Sequence, residues 1–398
     1  MTDTPRPAVT VLSGFSPAAT GAVARRLLVD DPNLLLVVHS IDGLADGTVR
    51  RLVRTAAGIV EDVTVELVHG CVSCTLREDV LPTLERLARE HPGRDQLLAL
   101  PRAIEPEAVA SACAHLPSVT DAVRFDSYVT VVDAAHVLND LDTTDDLRDR
   151  GLHAAPDDHR AVADVVARQL EFADTILTWT SPDTDPLDRV RTATLLRRLV
   201  PWAVLIDADT DDLPAAVRNT HRHDPRLPAT QGRALEGYPI GDHAPTGDWG
   251  VASLVFESRR PFHPQRLHDA LEDLAGMTLR ARGHLWIASQ ADAVLGFEAA
   301  GGGIGLGSLG YWLAALPPAR WSEASVDRRL TADATWDPYY GDRRTVLAFV
   351  GLGLAADALT TLLTHCLLTD EELADGQDTW ADLPDPFAGC FTHSETSA

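Results

Sequence analysis

The stretch from Glu66 to Leu87, ELVHGCVSCTLREDVLPTLERL, places His69, Cys71 and Cys74 within six residues. Thiolate sulfur and imidazole nitrogen suit Zn2+, so the three side chains read as a zinc site. Structural zinc sites close with four ligands, and none of Cys113, Cys366 and Cys390 forms a second C-x-x-C. The fourth position would fall to water, to His39 at the end of the second apolar run, or to a partner's side chain. Such an open site suits sensing or transient transfer. Two other readings stay open. The amphipathic run LREDVLPTLERL begins at the pair, and a helix N-terminus lowers a thiol pKa as in redox pairs. Two small residues in a tight turn need no chemistry at all.

A second stretch, VTVLSGFSPAATGAVARRLL from Val9 to Leu28, stands where a phosphate-binding loop would stand. The P-loop form G-x-x-x-x-G-K-S/T follows a buried strand and opens a helix. Its amides cradle phosphates, its lysine neutralises charge and its hydroxyl binds magnesium. Gly14 supplies the first glycine; Ala19 takes the place of the second, Thr20 of the lysine and Gly21 of the Ser/Thr. Pro17 also removes one amide. A helix N-terminus still attracts anions, but this loop is expected to serve as a structural turn.

Other candidates carry less. His221–Asp224 (HRHD) and His243 read as solvated loop histidines, and His263 and His284 as structural ones. Gly305-Leu-Gly307-Ser-Leu-Gly310 matches G-x-G-x-x-G without a βαβ context and reads as strand and turn glycines. Trp286, Trp312, Trp321 and Trp336 read as core aromatics.

Apolar runs AVTVLSGF, NLLLVVHS, DQLLALP, SYVTVVDA, DTILTWT and WAVLIDA alternate with amphipathic segments. That alternation predicts an α/β domain with a mainly parallel sheet flanked by helices, over residues 8–215. Residues 216–247, rich in Pro, Gly and His, read as a linker. Residues 248–370 mix strands and helices without strict alternation, as in a smaller α+β domain. Residues 371–398 read as an extended acidic tail.

The ordered landmarks GCVSCTLREDVLPTL, YVTVVDA, EFADTIL, RRPFHPQRLHDAL, LRARGHLWIAS and CLLTDEEL resemble the CobW-type family of P-loop GTPases, which includes zinc metallochaperones. The resemblance spans nearly the whole chain. It implies a P-loop NTPase-like domain, a CobW C-terminal-type α+β domain, and zinc and GTP as ligands. Against the family pattern, Ser73 replaces the middle cysteine and His69 an asparagine. Ala99-Leu-Pro-Arg102 stands for Glu-x-x-Gly, Trp179-Thr-Ser-Pro182 for the guanine reader Asn-Lys-x-Asp, and an acidic residue is missing from VVHSIDG. Phosphoryl transfer is positioning plus charge stabilisation, so these departures predict a protein without GTP hydrolysis. The HGCVSCTLR form is similar to that of an actinobacterial branch that recruits a hibernation factor to ribosomes in zinc starvation. That similarity implies a ribosome-associated protein or hibernation factor as partner. The rival expectation is a zinc metallochaperone that still binds GTP; a cobalamin-pathway protein follows only from the family's name.

Composition narrows the remaining classes. With 34 basic and 59 acidic residues the net charge is −25, which works against a nucleic-acid backbone; a basic protein partner is electrostatically easier, while the first reading of the charge is that it keeps the protein soluble. No apolar run reaches membrane-spanning length, and the start MTDTPRPAVT lacks a signal-peptide layout. Five scattered cysteines suit a reducing compartment, so a cytoplasmic protein is expected.

Overall fold

Ala8–Ser13 (β1) is buried at every residue, as the centre of a sheet covered on both faces requires. The computed structural model describes residues 6–155 and 158–389. The chain divides into two compact units, one formed by residues up to Ala193 with Trp202–Arg226, the other by Thr194–Pro201 with the chain from Leu227 onward.

In the first unit β1 is followed by α1 (Pro17–Asp30), β2 (Leu35–Ser40), β3 (Thr48–Thr55), β4 (Gly58–Glu66), α2 (Val72–Thr75), α3 (Leu81–Glu90), β5 (Gln96–Ala99), β6 (Arg124–Asp133), β7 (Thr175–Trp179) and β8 (Val204–Asp207). The sheet order is β4-β3-β2-β5-β1-β6-β7-β8. The pairs from β2 to β8 are parallel, while β3 and β4 add on antiparallel. The sheet is mainly parallel, as expected.

The β3–β4 hairpin is absent from the sequence reading. β4 is an edge strand with both faces largely solvated, so it lacks the apolar periodicity that marks strands. Cross-strand pairs hold it instead, including Arg50 on Asp62 at 2.7 Å.

The second unit is a six-stranded antiparallel sheet with helices Pro264–Gly276 and Ala356–Cys366 packed on it. Its outer strand Gly303–Tyr311 carries Gly305, Gly307 and Gly310, as strand and turn glycines. Two boundaries differ from the sequence reading. The segment 216–247 is not a plain linker: Thr230–Glu236 is a 3-10 helix and Ala244–Asp248 is a strand of the second sheet. Residues 371–389 are not an extended tail, because Asp370–Ala374 and Gln377–Trp380 are helical, with Trp380 and Phe387 buried. Acidic composition hid widely spaced apolar anchors. Cys390 lies outside the described residues.

The histidines and tryptophans also divide. His284 is fully buried and His263 caps the helix Pro264–Gly276. His223 is not a solvated loop residue; it packs edge-on against Tyr128, ring centroids 4.6 Å apart, while Asp126 accepts from the amides of Thr220 and His221. Trp286 and Trp312 are core residues, but Trp336 is 42% exposed.

Candidate functional site

The turn after β1 stands at the position of a phosphate loop and leads directly into α1. Pro17 occupies the first helical turn and Ser16 is the N-cap, so residues 17–20 belong to α1. The Ser16 hydroxyl accepts from the Ala19 amide and donates to Asp133 Oδ2 at 3.0 Å; the Thr20 amide is taken by the Ser16 carbonyl at 3.0 Å. The Ala19 and Thr20 amides are therefore bonded within the chain. Asp133 also places a carboxylate beside the positive end of the helix, the role an anion would play there. Gly14 is still required, since a Cβ would meet the Thr20 hydroxyl and the Val131 carbonyl, each at 2.6 Å.

Beyond this turn the carboxyl ends of β1, β2 and β5 line a cleft of about 860 Å3, the usual ligand position in an open α/β sheet. Gly14, Thr20, Gly21 and His39 lie on its wall, together with Arg25, Arg54 and Arg102. Arg25 and Arg54 belong to no motif in the sequence, and Arg102 enters there only as the end of the stretch that stands for Glu-x-x-Gly. The stretch Trp179-Thr-Ser-Pro182 enters a turn in which the Ser181 amide donates to Thr184 Oγ1 at 2.9 Å.

The cysteine loop connects β4 to α2. Gly70 is fixed by close approach, because a Cβ there would lie 2.2 Å from the Leu44 carbonyl. Cys71 is the N-cap of α2, and its sulfur accepts from the Cys74 amide at 3.1 Å. The two sulfurs are 2.7 Å apart, Cys71 half-buried and Cys74 buried. The Cys71 partner, helped by burial, pushes the Cys74 thiol above its ordinary range.

His69 is not drawn into the pair; its carbonyl accepts from the Cys71 amide at 2.9 Å. Among the described residues no three His, Cys, Asp or Glu side chains gather as a metal site. Two thiolates on one tetrahedral zinc stand about 3.7 Å apart, given Zn–S bonds of about 2.3 Å. The pair fits Zn2+ by donor type and proximity after a small separation of the sulfurs. Remaining ligands must come from a moved His69, water or another molecule.

His39 is placed elsewhere. Its Nε2 meets Asp79 Oδ2 at 2.8 Å, and Arg51 pairs with the other oxygen of that carboxylate. Asp79 lies in the π-helical turn Leu76–Val80 just beyond the cysteines, so this buried contact ties the cysteine-bearing helix to β2 and β3.

Comparison with known proteins bears on the family of the chain. Residues 47–192 match the description "CobW/HypB/UreG, nucleotide-binding domain", and residues 251–367 match "Cobalamin synthesis protein cobW C-terminal domain". The chain is 34% identical over 384 residues to the zinc chaperone Rv0106 of Mycobacterium tuberculosis, covering 92% of this chain and 89% of that protein. It is 28% identical over 400 residues to the zinc-regulated GTPase metalloprotein activator 1 of Dictyostelium discoideum, covering 95% and 83%. Among solved structures, Zn(II)-bound YjiA GTPase from E. coli aligns over 92% of this chain and 100% of that one, at 15% identity and a TM-score of 0.39. No helix among the described residues is long and apolar enough to cross a membrane. With its nucleotide-binding-type unit, cysteine loop and C-terminal unit in family order, this chain belongs to the CobW family.

Proposed function

We propose that the protein takes Zn2+ as cargo or signal at Cys71 and Cys74, without GTP turnover, and passes the zinc state to a protein partner. The paired sulfurs at the start of α2 carry the zinc part of this reading. The turn Ser16–Thr20 supports separation from GTP hydrolysis, because its Ala19 and Thr20 amides already have partners in the chain. The partner proposed is a ribosome-associated protein or hibernation factor, recruited when zinc is scarce; this part rests on the HGCVSCTLR resemblance.

The second reading is a GTP-dependent zinc metallochaperone. The names of the relatives and the cleft beside α1 favour it. Calorimetry separates the two. Zinc affinity that falls at least tenfold in Cys71→Ser and Cys74→Ser, with no heat from GTP and Mg2+, supports the first reading. Micromolar GTP affinity overturns it in favour of the second. Pull-down from cells grown with and without a zinc chelator tests the partner: zinc-dependent recovery of a hibernation factor supports it, and recovery of no ribosomal or hibernation protein under either condition rejects it.

A further inference from the structure

The cleft beside α1 has features of a ligand site although the turn leading into α1 lacks the P-loop lysine. Arg25, Arg54 and Arg102 line it, with Asp42 the carboxylate on the same wall. None of the three arginines has a hydrogen bond or ion pair to a carboxylate among the described residues. In a chain of net charge −25, cations left without such partners around one concavity form a local positive field. Arg102 lies over the Phe15 ring, 5.6 Å from its centre, and burial holds its guanidinium below its usual range. The Arg25 guanidinium folds back over Gly21, the place where the family carries a hydroxyl.

Two residues of the wall also carry a buried polar atom without a partner among the described residues. Thr20 is 7% exposed and its Oγ1 makes no hydrogen bond. His39 is 3% exposed; Asp79 holds its Nε2, and Nδ1 is left unpartnered. Buried polar groups without partners are uncommon in native proteins and call for an explanation. Between the polar groups the wall is apolar, with Leu36, Leu52 and Leu100. At about 860 Å3 the cleft lies within the range of small-molecule sites.

We infer that this cleft binds a small organic anion with an apolar body and an oxyanion head, a carboxylate or a phosphate monoester. The arginines recognise the head, Thr20 and His39 orient it, and the leucines take the body. We set a nucleoside triphosphate aside, because the chain has Thr20 at the P-loop lysine position and Gly21 at the Ser/Thr position, and the Ala19 and Thr20 amides are bonded within the chain. The inference stands apart from the zinc reading, since it uses neither cysteine.

The test is calorimetry on the full chain with phenyl phosphate, 4-phenylbutyrate and the neutral 4-phenylbutanol. Saturable binding of one or both anions, at least tenfold tighter than the alcohol, supports the site; which anion binds tells phosphate from carboxylate recognition. Affinity should fall at least tenfold in Arg54→Glu/Arg102→Glu, and severalfold in Thr20→Val, a nearly isosteric change that serves if the double variant does not fold. Equal binding of anions and alcohol overturns the inference, as does undiminished affinity in these variants. Displacement of the bound anion by micromolar GTP with Mg2+ also overturns it, by returning the cleft to a nucleotide. Zinc binding, measured in parallel, is unaffected in every arm, so failure here is distinguishable from failure of the zinc reading.

Discussion

At the scale of single residues, the two units contain groups whose surroundings decide their chemistry more than their type does. Cys71 and Cys74 are legible in the sequence as a pair, and the structure brings their sulfurs together. His69 is equally legible, yet the turn uses its backbone rather than its ring, and no spacing rule signals that. His284 was read as structural, and its burial has a measurable consequence. Both ring nitrogens lack hydrogen-bond partners among the described residues, and burial, reinforced by Arg344 and Arg328, lowers its pKa to about 3. The folded value lies below the unfolded one of about 6.5, so between these limits the unfolded chain binds the extra proton. Stability from this group is full above pH 6.5 and is lost as pH falls, by roughly 1.4 kcal/mol per unit until about pH 3. His284→Leu should fold normally at pH 7 and show a flatter urea midpoint between pH 6.5 and 4. An unchanged acid slope in that variant would assign the sensitivity to other groups.

At the scale of elements, packing against neighbours overrides what local pattern suggests. Strands buried on both faces were legible because they are continuous apolar runs; β4 was not, because an edge strand held by charge pairs has no periodic signature. The segment beyond Asp370 illustrates the same limit. Its acidic residues suggest an extended chain, but Trp380 is 2% exposed and packs with Trp286 and Leu368. The Thr369–Glu372 capping box starts the first helix, and Arg266 holds Glu372 at 2.6 Å, lowering its pKa to about 2. Trp380→Ala is expected to destabilise the protein by about 3–5 kcal/mol, the usual cost of truncating a large buried aromatic. Chemical denaturation checks it, and a loss under 1 kcal/mol would restore the reading of a loosely attached tail. The start of α1 gives a second element-level expectation. Ala19→Gly, Thr20→Lys and Gly21→Thr together return the P-loop letters but leave Pro17 in the helix and Ser16 bonded to Asp133. Calorimetry should find no micromolar GTP affinity in this triple variant. Strong binding would mean that side-chain identity at these three positions, not the Ser16–Thr20 turn, decides nucleotide affinity.

At the scale of the whole molecule, charge and metal act on different ranges and can be separated by salt. A net charge of −25 produces a field felt over a Debye length, about 8 Å at physiological ionic strength. It steers basic partners and repels phosphate backbones, and it fades as salt is added. Zinc held on the paired thiolates, as proposed, would depend on direct bonds at the start of α2 and be nearly indifferent to screening. If the partner is a basic protein whose capture responds to zinc, two independent dependences follow. Raising salt from 50 to 300 mM should slow association severalfold by surface plasmon resonance at any zinc level. Removing zinc should change affinity with little change in salt slope, and Cys71→Ser should abolish the zinc response while leaving that slope intact. A salt slope that vanishes with the cysteine would mean that the acidic surface and the metal loop form one contact. A capture insensitive to salt would remove the electrostatic argument for a basic partner.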